Sequence, residues 1–134
     1  AEEVPPTATG ATGLAQVMFD PSTLFIDING TFNGFSSPVT VGHLHGLADA
    51  GETAPPIFAY VIDADPGTGF TSGSFSGDTF LTQAQADGLL AGLTYINIHS
   101  ENFPGGEIRG QVVPAPAGAA LLGAAGLFGL RRRR

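Results

Sequence analysis

The chain has 134 residues, with 20 Gly, 10 Pro and no Cys. That suits one turn-rich domain and excludes a disulfide framework, a thiolate metal site and a catalytic thiol. All twelve acidic residues lie at or before Glu107, and four of the five cations form the terminal run Arg131, Arg132, Arg133 and Arg134. Ahead of Pro114, Arg109 is therefore the one cation against twelve carboxylates, a formal charge of −11. With no lysine, such a surface repels phosphate backbones and excludes nucleic acid as a partner. It suits solubility outside a cell and weak capture of divalent cations.

Residues 1–13 are rich in Pro, Thr and Gly and read as an extended lead-in, with Ala1 expected as a mature N-terminus left by signal-peptide cleavage. A first strand is predicted over Leu14–Phe19, closed by Asp20-Pro21-Ser22. A second runs over Leu24–Phe32, with Leu24, Ile26 and Ile28 on one face and Phe25, Asp27 and Asn29 on the other. A third spans Val39–His45 and a fourth Ile57–Ile62, followed by the turn residues Asp63-Ala64-Asp65-Pro66-Gly67. This turn is a candidate Ca²⁺ loop without the regular EF-hand spacing. Gly73–Leu81 reads as a Ser/Gly-rich strand at a sheet edge. One helix follows, capped by Thr82 with Gln85 three residues on, given apolar surface by Ala84, Leu89 and Leu90, and ended by Gly92. Strands over Thr94–His99 and Glu107–Val113 complete a set of seven, which points to an all-β sandwich or barrel with one short helix.

After Val113 the composition changes to Pro114-Ala115-Pro116, an apolar run of small residues over 117–130, and the four arginines. About fourteen apolar residues make ~21 Å of helix, short against a ~30 Å hydrocarbon core. Snorkelling arginines lengthen its reach and orient it with its N-terminal side outward. This C-terminal hydrophobic helix resembles the PEP-CTERM sorting tails handled by exosortase-type enzymes in Gram-negative bacteria, with Ala115 where that family usually has Glu. The resemblance implies a membrane contact through Pro114, Pro116 and the arginine cluster. The alternatives are a buried packing helix or an oligomerisation helix whose Gly118, Gly123, Gly126 and Gly129 permit close approach.

The three histidines are not scattered. His43-Leu44-His45 places two imidazoles on one strand face, and Ile96-Asn97-Ile98-His99 alternates the same way. Glu107, Arg109 and Gln111 alternate with Ile108 and Gly110, so three strands present polar groups on one face. These segments carry a second resemblance. His43-Leu44-His45-Gly46, Tyr95-Ile96-Asn97-Ile98-His99-Ser100 and the run from Asn102 to Gln111 are similar to the signature of the CHRD domain, first described in chordin. The opening Glu3-Val4-Pro5-Pro6 with Gly10 and Gly13 is similar to that family's start. The resemblance covers about residues 2–113. It implies an immunoglobulin-like antiparallel β-sandwich of extracellular proteins, with no catalytic activity established for the family.

Two readings of the histidine face stand side by side. His43, His45 and His99 suit Zn²⁺ or Cu²⁺, and His-x-His on a strand is similar to that of copper-zinc superoxide dismutases, which use more ligands. Otherwise the face, with Gln111 as a further member, is a hydrogen-bonded cluster in which Arg109 neutralises Glu107 while Asn97 and the imidazoles satisfy backbone groups at strand ends. No Gly-x-Ser-x-Gly elbow or phosphate loop appears, and no enzyme is expected.

The organisation expected is a sandwich over 1–113 and a hinge, hydrophobic helix and Arg cluster over 114–134. The function expected first is that of an exported, non-catalytic surface or matrix protein of a Gram-negative bacterium, acting by contacts with other surface proteins. The second is a subunit of an extracellular filament or sheath that docks onto its own copies. The third is a metal-binding protein of the histidine face.

Overall fold

The computed structural model describes residues 3–115. The expected tail, with Pro116 and Arg131, Arg132, Arg133 and Arg134, lies outside the described residues past Ala115. Eight strands form two four-stranded antiparallel sheets. They are β1 (Thr12–Asp20), β2 (Phe25–Asn33), β3 (Val39–Gly46), β4 (Pro56–Ala59), β5 (Val61–Ala64), β6 (Gly73–Phe80), β7 (Thr94–Ser100) and β8 (Ile108–Gln111). One sheet has the order β1-β2-β6-β5 and the other β4-β3-β7-β8. The all-β sandwich with one short helix is thus the fold. Among the described residues no helix is long and apolar enough to cross a membrane.

The core follows from period-two alternation. On β2, Ile26, Ile28 and Phe32 point inward and are buried, while Asp27 and Asn29 face out. From the opposite sheet Leu44 and Ile98 meet them, and Phe35, Phe75, Leu81 and Leu89 complete the cluster. Within the first sheet the neighbouring strands β1 and β6 crowd Gly30 so closely that a methyl group there would stand 2.6 Å from the Leu14 carbonyl oxygen and 2.3 Å from the Phe75 ring. Gly30→Ala is therefore expected to destabilise the domain by about 1–3 kcal/mol, read from urea melts of the two proteins.

Three expectations need correction. The continuous apolar run Ile57–Ile62 is two strands, not one, and they belong to different sheets. Tyr60 lies between them with its ring buried and its N–H donated to the Gly42 carbonyl at 2.8 Å, so the chain turns the corner of the sandwich at that residue. The Ser/Gly-rich β6 is interior, with β2 on one side and β5 on the other. Its Gly77 makes room for aromatic packing, since a methyl there would lie 2.7 Å from Phe58 Cε2. In the helix α1 (Gln83–Leu90), Thr82 and Gln85 form the expected capping box, but the buried residues are Ala86, Gly88 and Leu89. Ala84 and Leu90 face solvent, and Leu47 packs on the bare face of Gly88.

The two sides of the sandwich differ. The step from β4 to β5 closes one. On the other, β1 and β8 are sheet edges, and between them runs an apolar groove of about 820 Å³ lined by Ala15, Val17, Phe19, Ile96, Ile108 and Val112 among others.

Candidate functional site

The register of the second sheet assembles most of the polar face expected from the sequence. His43 pairs with Asn97 and Asn97 with Arg109, while His45 pairs with Tyr95 and Tyr95 with Gln111. His99 stands opposite Val41. Paired residues share a face, so His43, His45, Tyr95, Asn97, His99, Arg109 and Gln111 form one outward patch, with Leu44 and Ile98 on the core side.

The three imidazoles meet in this patch. His43 Nδ1 lies 3.3 Å from His99 Nε2, and each of the three rings brings one nitrogen to within 4.8 Å of the others. The remaining contacts fix the tautomers. His45 Nδ1 faces the Ala54 carbonyl oxygen at 2.8 Å and His99 Nδ1 faces that of Pro104 at 2.7 Å. A carbonyl only accepts, so both Nδ1 atoms carry hydrogen, and Nε2 is the nitrogen of each ring that can offer a lone pair. His45 Nε2 is buried and has no hydrogen-bond partner among the described residues. Burial holds His43 and His45 below the usual imidazole range, and at His43 the neighbouring His99 and His45 add to this.

Arg109 does not neutralise Glu107. Its guanidinium lies 3.5 Å over the Tyr95 ring, and His45 stacks on the same ring at 4.8 Å between centroids. Arg109 Nη1 donates to the Glu52 carbonyl, and Nη2 donates to the Asp49 carbonyl and to Gln111 Oε1. Gln111 in turn donates to the Ala48 and Gly92 carbonyls. Together these side chains strap the β3–β4 connection across the face. Glu107 is fully buried elsewhere. Its carboxyl accepts from the Ser36 N–H at 2.8 Å, from Ser36 Oγ at 3.2 Å and from Ser100 Oγ. It ties the β2–β3 connection to β7.

Asn97 is occupied by a residue that the sequence offered only in the opening segment and not on the polar face. Its Nδ2 donates to Glu3 Oε1 at 2.6 Å, and Glu3 is buried. Desolvation raises the Glu3 pKa above 4.5 despite the opposing effects of the Asn97 hydrogen bond and Arg109. A raised folded pKa contributes stability that is fully present below the unfolded value and lost as pH rises through the folded one. Stability is therefore expected to fall as pH rises above about 4.5, and Glu3→Gln to remove that part of the slope in melts taken across the range.

Of the other candidates, Asp65 caps the 3₁₀ turn Pro66–Thr68, its Oδ1 accepting from the Gly67 N–H. That contact explains the loop as a turn. Tyr95 was not assigned to the face from the sequence, although it shares parity with Asn97 and His99. The Ala54 and Pro104 carbonyls that orient two imidazoles carry no side-chain signal.

No curated protein and no solved structure matches the chain. The family comparison does match, as the CHRD domain, over residues 1–112. That range contains both sheets and every residue of the polar face, so the chain belongs to the CHRD domain family.

Proposed function

We propose that the chain is an exported, non-catalytic domain that works by contact with other proteins of a bacterial surface or extracellular matrix. Its family of extracellular, non-enzymatic domains supports the first part. The contact role rests on one observation, the open edge of β1. This nine-residue strand ends its sheet, holds neither Lys nor Pro, and exposes Leu14 by 77% and Met18 by 62%. Natural edges are usually blunted by such residues or by inward charges, and an unblunted one accepts a further strand. The occupant read here is an extended segment of a surface or matrix protein, and the strongly acidic domain favours one carrying positive charge. The Gram-negative cell-surface address rests on the expected sorting tail and its membrane contact.

A photo-crosslinker at position 14, used on the native cell surface, tests this. A discrete heterologous adduct, absent when the crosslinker sits at Asn29 in the middle of the sheet, is the expected result. An adduct of two copies, with fibres of the purified protein under negative stain, favours the filament reading at the same edge. No adduct at either position removes the contact role from β1.

A further inference from the structure

We infer that His43, His45 and His99 form a preorganised site for one late first-row divalent metal ion, copper or zinc, bound through Nδ1 of His43 and Nε2 of His45 and His99. The site is independent of the contact surface at β1, which belongs to the other sheet.

Three observations converge on it. The first is the donor set. Three imidazoles on adjacent strands bring their nitrogens within 4.8 Å of one another, and neutral imidazole is a donor that both zinc and copper accept. The second is the spacing. A tetrahedral ion with bonds of 2.0–2.1 Å needs its ligand nitrogens about 3.3–3.4 Å apart, and His43 Nδ1 and His99 Nε2 are 3.3 Å apart. Bringing the third nitrogen to the same spacing takes a ring movement on the order of 1 Å. The third is the outer support. Metal-binding histidines ordinarily donate their second N–H to a carbonyl or carboxylate, which fixes the tautomer. Ala54 and Pro104 supply such carbonyls to His45 and His99, and Tyr95 stacks on His45.

His45 Nε2 is buried and has no hydrogen-bond partner among the described residues, as is true of Asn97 Oδ1 and Arg109 Nε on the same face, so its lone pair is available to an ion. In the metal-free state one contact remains inside the trio, His43 Nδ1–H donating to His99 Nε2. Metal binding replaces it, and the His43 proton passes through solvent to its own Nε2. The ring keeps its single proton through this exchange. All three residues are partly exposed, which leaves a fourth position facing solvent.

The test is a titration of the metal-stripped protein with Zn²⁺ and separately with Cu²⁺, in excess Ca²⁺ to occupy the acidic surface, followed by calorimetry and by metal analysis after dialysis. One equivalent per chain is expected, with Cu²⁺ held more tightly than Zn²⁺ by the usual order of affinities. His43→Gln, His45→Gln and His99→Gln are each expected to weaken binding tenfold or more, while circular dichroism shows them folded. Co²⁺ gives a check on the wild-type protein that needs no variant, since four-coordinate Co²⁺ absorbs strongly in the visible. Retention below about a tenth of an equivalent, displacement by Ca²⁺, or unchanged affinity in all three folded variants overturns the assignment. So does a Co²⁺ spectrum indistinguishable from that of the free ion.

Discussion

Glu107→Ala is expected to lower the stability of the domain by about 3–5 kcal/mol, and with it the melting temperature by more than about 10 °C. The side chain is fully buried and its carboxyl accepts from Ser36 N–H, Ser36 Oγ and Ser100 Oγ. Truncation leaves these donors facing a dry gap, and each buried donor without a partner costs about 1–3 kcal/mol. Against a total of about 5–15 kcal/mol for a typical domain, that is a large share. Glu107→Gln is expected to cost less, because the two serine hydroxyls can turn to accept where the amide donates. Urea melts of both variants check the order. An alanine variant within 1 kcal/mol of wild type would show that Glu107 does not hold the β2–β3 connection.

Arg109→Ala is expected to cost about 2–4 kcal/mol, from the lost stacking on Tyr95 and the lost donors to the strap. Arg109→Lys is expected to recover less than half of this. An ammonium cannot present two donor nitrogens to Glu52, Asp49 and Gln111 while keeping its plane over the ring. A double-mutant cycle separates this role from the ion pair suggested by the sequence. Arg109→Met and Glu107→Gln have no shared partner, so their effects are expected to add within about 0.5 kcal/mol. A coupling above about 1 kcal/mol would restore the direct pair.

Much of the fold was legible because strand periodicity is a local property. Ile26 and Ile28 against Asp27 and Asn29 show the buried side of β2 without any tertiary information, and Thr82 with Gln85 marks the helix start. The polar face was legible for the same reason, since His43, His45, Asn97, His99 and Arg109 each alternate with aliphatic residues. Counting by twos misled at Glu107. β8 begins only at Ile108, and Gly106 at φ +127° turns the chain just before it, so the parity of Arg109 does not extend to Glu107. The change of sheets at Tyr60 was hidden inside an uninterrupted apolar run, because both halves satisfy the same local preference. The glycines of β6 suggested an edge, but Gly77 makes room for the Phe58 and Tyr60 rings and Gly73 lies against the backbone of Asp63 and Ala64 on β5. The clamps on the imidazoles are backbone carbonyls, which every residue carries and no sequence distinguishes.

The passage from β4 to β5 through a single residue gives the sandwich a spine. The two sheets are bound together there like the covers of a book, with the Tyr60 ring pressed into the fold. At the opposite margin, β1 and β8 are the free edges of the pages. A spine only one residue wide leaves no slack, so the β4 margin of one cover is held in fixed register with the β5 margin of the other.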